Sequence, residues 1–215
     1  MSTQPLSNTK TDQESSGLDQ VGVFITADID QLRQLLILKQ TSSVFHIPTT
    51  MVEADESTAA AAERLARQTT NLSHLPPARL ITSFTQHLDN DEYWLRRRVM
   101  LRTNPNPDAT LMRFILERGM RVHMIQREED FSQVVYEEYD LQNNELALSV
   151  RRAGWVNANA LTDQLTTHIY HLRITTPPQS DHVADFYWLP LTAGIKLAPE
   201  QNPWLAHARE TLQQP

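Results

Sequence analysis

The chain has 215 residues and contains no cysteine. Disulfides, thiolate metal sites and cysteine nucleophiles are therefore excluded, and this composition fits a cytoplasmic protein. No apolar run approaches the roughly 20 residues that a helix needs to cross a bilayer, so we expect no membrane partner. Residues 1–20 are rich in Ser, Thr and Gln and lack the apolar segment of a secretory signal. We predict a disordered tail over residues 1–19.

Glycine and positive charge are also scarce. Five glycines occur in the whole chain, which leaves no Gly-rich loop of the kind that cradles phosphates. The formal net charge of -7 argues against a nucleic-acid partner, because binding to a phosphate backbone needs a basic face. Hydrophobic residues make up 40% and charged residues 21% of the chain, which is ordinary for a soluble globular protein. The length allows one large domain or two small ones.

The chain does contain segments typical of both strands and helices. The clearest helix covers residues 57–69, which are rich in Ala, Leu and Arg, lack Gly and Pro, and have Asp55 or Ser57 available as a cap. Residues 32–39 indicate a strand or a short helix, and residues 93–102 are ambiguous. A closing helix is expected over residues 204–212. Strands are expected over residues 21–26, 79–84, 111–116, 120–126, 131–136, 168–175 and 186–191.

Residues 45–57 read FHIPTTMVEADES, and the predicted helix follows directly. Arg64 stands eight residues after Glu56, and Pro48 precedes the aliphatic–Glu pair at residues 52–53. With Ala66 and Leu72 at two aliphatic positions, this segment resembles the Nudix box, in which Pro48, Glu56 and Arg64 fall on structural positions. The stretch FYWLPL at residues 186–191 is similar to the closing strand of that family. The resemblance implies an α/β (α+β) fold, a mixed sheet with packed helices.

The segment departs from the box at the positions that carry metal chemistry in the family. Thr49 and Thr50 replace the two loop glycines, Leu65 replaces the Glu after the box Arg, and residues 68–69 (Gln-Thr) replace the Glu-Glu pair. In the family, these glutamates share one helical face and hold divalent cations against a pyrophosphate. The side chain of Leu65 has no ligand atom, and Gln and Thr are weak neutral ligands. The resemblance therefore implies a Nudix scaffold that has lost catalysis.

Three carboxylates near the box keep an alternative open. Glu53, Glu56 and Glu63 with Mg²⁺ would serve a divergent pyrophosphohydrolase that acts on a nucleoside diphosphate derivative. The simpler interpretation is an ion pair between Glu56 and Arg64 that fixes the loop on the helix, with Glu63 solvated. We favour the second interpretation, in which no residue holds a metal. The expected partner is then a nucleotide-like small molecule or another protein.

A long segment separates the box from the closing strand. It contains Arg-x-x-Pro at residues 102–105, Leu-x-x-Gly-x-x-Val at residues 116–122, an aromatic strand at residues 131–135 and Gly-Trp-Val at residues 154–156. This order resembles a bacterial Src-homology-3-like β-barrel, with a longer loop over residues 137–150 than is usual in such barrels. We assign residues 93–162 to the inserted barrel and residues 20–92 and 163–215 to the two Nudix-like segments.

The barrel resemblance implies an aromatic groove that binds a ligand or a peptide. Phe131, Tyr136 and Trp155 are its candidate ligand-binding residues, and packing in the core is the alternative for all three. His168 and His171 are expected on opposite faces of a strand, so we predict no zinc site there. The arginine runs at residues 96–98 and 151–152 are expected to be solvated faces rather than an anion site.

Overall fold

The computed structural model describes residues 17–39, 44–89, 91–142, 145–177, 186–192 and 194–214, with backbone alone at residues 141–142 and 145–146. Residues 1–16 of the predicted tail lie outside this range, whereas Leu18 and Asp19 already belong to the first strand. The elements, in chain order, are β1 (Leu18–Ile29), β2 (Leu32–Lys39), β3 (Phe45–His46), β4 (Thr49–Met51), α1 (Thr58–Thr70), β5 (Arg79–His87), β6 (Glu92–Leu95), β7 (Val99–Arg102), β8 (Leu111–Leu116), β9 (Arg121–Glu128), β10 (Phe131–Gln142), β11 (Glu145–Asn157), a 3-10 turn (Ala158–Ala160), β12 (Leu161–Thr162), β13 (Gln164–Ile174), β14 (Phe186–Pro190) and α2 (Asn202–Gln213).

The first sheet is mixed, and each of its faces carries one helix. Its strands run in the order β14-β2-β1-β13-β5, with β3 beside β2 and β4 beside β1. β1 pairs in parallel with β13, and the remaining pairs are antiparallel. Because β1 is central and covered on both faces, its run of apolar residues is nearly continuous. Alternate side chains therefore enter two different cores.

The two cores of the first sheet follow from this alternation. Val23 and Ile25 pack with the small side chains of α1, such as Ala62 and Ala66. Phe24, between them, packs with α2 on the other face. Ser57 caps α1 as predicted, because its hydroxyl oxygen accepts a hydrogen bond from the backbone N–H of Ala60 at 3.2 Å. The architecture is thus a mixed α+β fold with helices on both faces of the sheet.

Residues 92–162 form a second, antiparallel sheet with the strand order β12-β6-β9-β10-β11-β7-β8. It encloses its own core, which includes Leu95, Leu116, Val134 and Val156. Gly154 lets the β7–β8 hairpin cross close to β11, since a Cβ atom there would lie 2.8 Å from the Cβ atom of Leu101. No pairing among the described strands joins β12 to β8, so closure into a barrel stays a prediction.

Most of the strand and helix predictions are confirmed. The structure also assigns the two segments whose secondary structure the sequence left undecided. Residues 32–39 form a strand, and residues 93–102 divide into β6 and β7. The predicted loop over residues 137–150 is wrong, because β10 continues to Gln142 and β11 starts at Glu145, with the two strands paired along this length. None of the helices in the described part of the chain is long and apolar enough to cross a membrane.

Candidate functional site

Residues 45–57, called the box-like segment from here on, are held between the first sheet and α2. The carbonyl oxygen of Pro48 accepts a hydrogen bond from the N–H of Val23 at 3.0 Å. The N–H of Ile47 donates to Oε1 of the buried Gln201 at 2.8 Å. Thr49 and Thr50 lie in β4, paired with β1, so this backbone is extended and needs no glycine. The threonines at these two positions therefore fit the extended strand that they form.

Glu56 and Arg64 form a bidentate ion pair. Nε and Nη2 of Arg64 donate to the two carboxylate oxygens of Glu56 at 2.9 and 2.8 Å. Nη2 also donates to the carbonyl oxygen of Met51 at 3.2 Å, which ties the start of α1 to β4. The hydrogen bond from Arg64 holds the pKa of Glu56 below its usual value, although burial opposes the shift. This arrangement is the structural pair expected from the sequence.

The other candidate carboxylates are placed differently. Glu63 pairs with Arg67 one turn along α1 at 3.2 Å. Glu53 lies 3.7 Å from Nη2 of Arg64 and is mostly exposed. Across the described residues, no group of three or more His, Cys, Asp or Glu side chains is arranged to hold a metal ion.

Of the three α1 residues at which the resemblance to the Nudix box expects glutamates, Gln68 is exposed and the other two pack inside the protein. Leu65 is buried in the core below α1. Thr69 is buried as well, and its hydroxyl donates to the carbonyl oxygen of Leu65 at 2.9 Å. Mg²⁺ requires several oxygen ligands in near-octahedral geometry. Because no cluster of carboxylates among the described residues supplies such a ligand set, these residues do not fit this metal.

A cleft of about 650 Å³ opens next to the box-like segment, on the face of the first sheet that carries α2. Its wall includes His46 and Thr49 from the box-like segment, Phe84 from β5, and Trp204 and Glu200 from the start of α2. The volume lies within the range of about 300–1,000 Å³ that is usual for small-molecule sites. The aromatic side chains provide flat surfaces, and the polar groups around them provide hydrogen-bonding partners.

The second sheet supplies the opposite wall of this cleft. Trp94 of β6 and Arg121 of β9 are register partners, and both line the cleft. The guanidinium carbon of Arg121 lies 5.8 Å from the ring centroid of Trp94, a cation–π arrangement. Arg121 also lies 3.8 Å from Glu92, in a loose and largely exposed ion pair. The cleft is therefore a composite of both sheets, with an aromatic–cation pair at its rim.

A turn of the second sheet contacts the box-like segment directly. Gly119 has a φ of 81°, and a Cβ atom there would lie 2.6 Å from the terminal carbon of Met51. The neighbouring Arg118 donates from Nη1 to the carbonyl oxygen of Val52. Trp94 completes the junction by packing with Leu18 and Leu165 of the first sheet. These contacts set the position of Trp94 and Arg121 relative to the cleft.

The candidate ligand-binding aromatics of the second sheet are mostly enclosed. Phe131 is 8% exposed and Trp155 is 6% exposed, so their rings offer little surface to a ligand. Tyr136 is half buried and packs against Phe114 with ring centroids 6.0 Å apart. A groove formed by these three residues stays a prediction.

His168 and His171 contact different groups on opposite faces of β13. Nε2 of His168 lies 3.2 Å from a carboxylate oxygen of Asp19. Nε2 of His171 lies 2.8 Å from the hydroxyl oxygen of Thr26. Burial, together with Arg33 and Arg173, lowers the pKa of His171 to about 4. His171 is therefore neutral near pH 7.

Trp94, Arg121 and His46 had no distinguishing signal in the sequence. They stand apart along the chain, and they meet only because β6 pairs with β9 and because the β8–β9 turn packs on the box-like segment. Trp204 of α2 is buried, and it also contributes to the wall of the cleft.

No family model and no curated protein match the chain. Its structural neighbours include Nudix proteins. The NUDIX domain of Shewanella oneidensis NrtR complexed with ADP ribose is 13% identical, with a TM-score of 0.46 and coverage of 92% of this chain and 89% of that chain. A mutT/nudix family protein from Listeria innocua is 13% identical, with a TM-score of 0.46 and coverage of 91% and 93%. Against another NrtR structure from Shewanella oneidensis, the identity is 14% and the TM-score 0.47; 91% of this chain aligns, but it spans only 64% of that chain. At these identities and TM-scores, the likeness carries no argument about family membership or activity.

Proposed function

We propose that the chain is a Nudix-like protein that has lost metal-dependent hydrolysis and binds a nucleotide-type small molecule in the cleft between its two sheets. The observation that carries the proposal is the burial of Leu65 and Thr69 on α1, at positions where the resemblance to the Nudix box expects metal-binding glutamates. Glu56, in turn, is held in the ion pair with Arg64. Hydrolysis of a pyrophosphate in this family depends on metal ions that offset the charge of the phosphates, so a site without ligands leaves binding as the remaining role.

The composition of the cleft supports a nucleotide-type ligand. Phe84 is half-buried and offers a ring face for a planar base, and stacking of a base on an aromatic ring is worth about 1–3 kcal/mol. Trp94 and Trp204 are 5% and 9% exposed, so they contribute the apolar wall of the cleft rather than a stacking surface. Arg121 provides a cation for a phosphate, because a guanidinium can donate two parallel hydrogen bonds to an anion. The carboxylate of Glu200 can accept hydrogen bonds from a ribose hydroxyl or an exocyclic amine.

Two calorimetric titrations test this proposal. The purified chain is titrated first with Mg²⁺ and Mn²⁺, and then with ADP and ADP-ribose in the presence of Mg²⁺ while the formation of AMP is followed. We expect no metal binding, no turnover and measurable binding of at least one nucleotide. Arg121→Gln should weaken that binding by about ten- to a hundredfold, the loss expected when a charged hydrogen bond of roughly 1.5–3 kcal/mol is removed.

The matched control is Arg127→Gln, which removes an exposed arginine farther along the same strand and outside the cleft. Equal weakening in both variants would mean that charge alone, rather than the cleft, holds the nucleotide. Metal-dependent turnover that is lost in Glu56→Gln and in Glu63→Gln, with both variants folded, would support the divergent Mg²⁺ hydrolase instead. If neither nucleotide binds, the second sheet, with its resemblance to a Src-homology-3-like barrel, becomes the candidate for binding a protein partner.

A further inference from the structure

The second sheet ends in a two-stranded arm that extends past its neighbouring strands. β10 pairs with β9 only over residues 131–135, and β11 pairs with β7 only at Trp155. β10 and β11 nevertheless stay paired with each other as far as Gln142 and Glu145, with one β-bulge at Ser149, which has no register partner on β10. Residues 137–142 and 145–151, called the β-arm from here on, therefore have no other partner strand among the described residues. Two-stranded ribbons are marginally stable alone in water, and open edges template further pairing.

The two edges of the β-arm differ in chemistry. The β10 side carries Glu137, Glu138 and Asp140, whose charges discourage the addition of another strand. On the β11 side, residues 147–150 read Ala-Leu-Ser-Val, an uncharged run without Pro or Lys. Leu148 in this run is 49% exposed, and its register partner Tyr139 is 51% exposed. The edge that lacks protecting charges thus also borders the exposed apolar surface of the arm.

We infer that the β11 edge of the β-arm pairs with the same edge of a second copy of this chain, in antiparallel orientation. The sequence flanks the uncharged run with Glu145 on one side and Arg151 on the other. Antiparallel pairing centred on Leu148 sets each Glu145 opposite Arg151 of the second copy, whereas parallel pairing sets like charges side by side. The segment is therefore complementary to itself, which is the requirement for a two-fold symmetric interface.

Such pairing joins the exposed apolar residues of the two copies. The four strands would run β10-β11-β11-β10, and cross-strand neighbours on one face of an antiparallel pair lie about 4.5–5.5 Å apart. Leu148 then meets Leu148 of the second copy, with Tyr139 of each copy beside it. The ion pair of Arg151 with Glu137, at 3.3 Å, leaves the Arg151 side chain 64% exposed and available at the edge. Burial of this stripe and the added backbone hydrogen bonds stabilise the pair of arms.

Cysteine cross-linking tests the inference directly, because the chain has no cysteine of its own. Leu148→Cys is oxidised under mild conditions and compared with Leu80→Cys, a position that is also 49% exposed but lies on β5 of the first sheet. We expect Leu148→Cys to form a covalent dimer several times faster than Leu80→Cys. Light scattering on the unmodified chain should give twice the mass of one chain at high concentration.

A strand-breaking variant separates pairing of the edge from random collision. Ser149→Pro should return the chain to a monomer while its circular dichroism and melting temperature change little, since Ser149 is exposed and lies at the β-bulge, where proline is tolerated within the arm but blocks pairing at the free edge. The inference is overturned if the chain stays monomeric at all concentrations, or if Leu148→Cys and Leu80→Cys cross-link at the same rate. A dimer that persists in Ser149→Pro would also overturn it, since the contact would then lie elsewhere.

Discussion

One guanidinium group determines the role of the carboxylates in the box-like segment. Arg64 engages both oxygens of Glu56 and the carbonyl oxygen of Met51, so it joins α1, the loop before it and β4. The side chains of Arg64 and Glu56 are only 25% and 14% exposed, which limits solvent screening of the pair. A carboxylate held in this way contributes to the stability of the loop rather than to metal binding.

Glu56→Gln should lower the free energy of unfolding by about 1–3 kcal/mol, because it leaves a half-buried guanidinium without its charged partner. The lowered pKa of Glu56 fixes the pH dependence. The stabilisation is complete above the ordinary glutamate pKa of about 4.3 and is lost as the pH falls through the lowered value. Urea unfolding from pH 7 to pH 3 measures this. Glu63→Gln, which breaks only the exposed pair with Arg67, is the control and should cost much less.

The β7–β8 hairpin shows how one small residue sets the path of a whole element. Gly154 on β11 lies below this hairpin, and a Cβ atom would lie 2.8 Å from Cβ of Leu101 and 3.1 Å from the carbonyl oxygen of Arg102. Both are backbone or near-backbone atoms, which move only if the hairpin moves. The close approach allows Leu101 to enter the core of the second sheet.

Gly154→Ala should therefore destabilise the protein by about 1–3 kcal/mol, the usual effect of overpacking, and should lift the β7–β8 hairpin. Gly194→Ala is the matched control, since no described heavy atom outside its chain neighbours lies within 4 Å of its Cβ position. Urea denaturation measures both variants. Equal stability of Gly154→Ala and the unmodified chain would mean that the hairpin has room to shift without loss of packing.

Local patterns in the sequence predicted the elements whose structure depends on residues close together in the chain. The α1 helix has an Ala-rich run, a cap at Ser57 and no breaker, and it forms as predicted. The predicted loop over residues 137–150 was wrong, because its acidic residues and lack of strict alternation are typical of loops, whereas cross-strand pairing decides its structure. The pair of Glu56 with Arg64 followed from its place in a motif. The cleft did not, because Trp94 and Arg121 reach it only through long-range pairing.

The residues that the structure describes form two sheets with separate cores, which meet at a small junction. The first sheet has a core on each face, and the second sheet encloses its own. Leu18, Leu165 and Trp94 form the apolar part of the junction, beside the contact of Arg118 with Val52. Because the cleft has a wall from each sheet, the strength of this junction determines how rigid the candidate binding site is.

Leu18→Ala should uncouple the two sheets. Leu18 is buried at the junction, and its truncation should cost about 2–5 kcal/mol in lost packing. In the unmodified chain we expect residues 21–27 and 111–116 to exchange their amide hydrogens with similar free energies of opening. In Leu18→Ala, residues 111–116 should have a lower free energy of opening than residues 21–27.

Leu36→Ala, a buried truncation within the first sheet, is the control and should not lower the protection of residues 111–116 selectively. If both segments lose protection together in Leu18→Ala, the sheets are coupled through more than this junction, and the cleft is as rigid as the cores on either side.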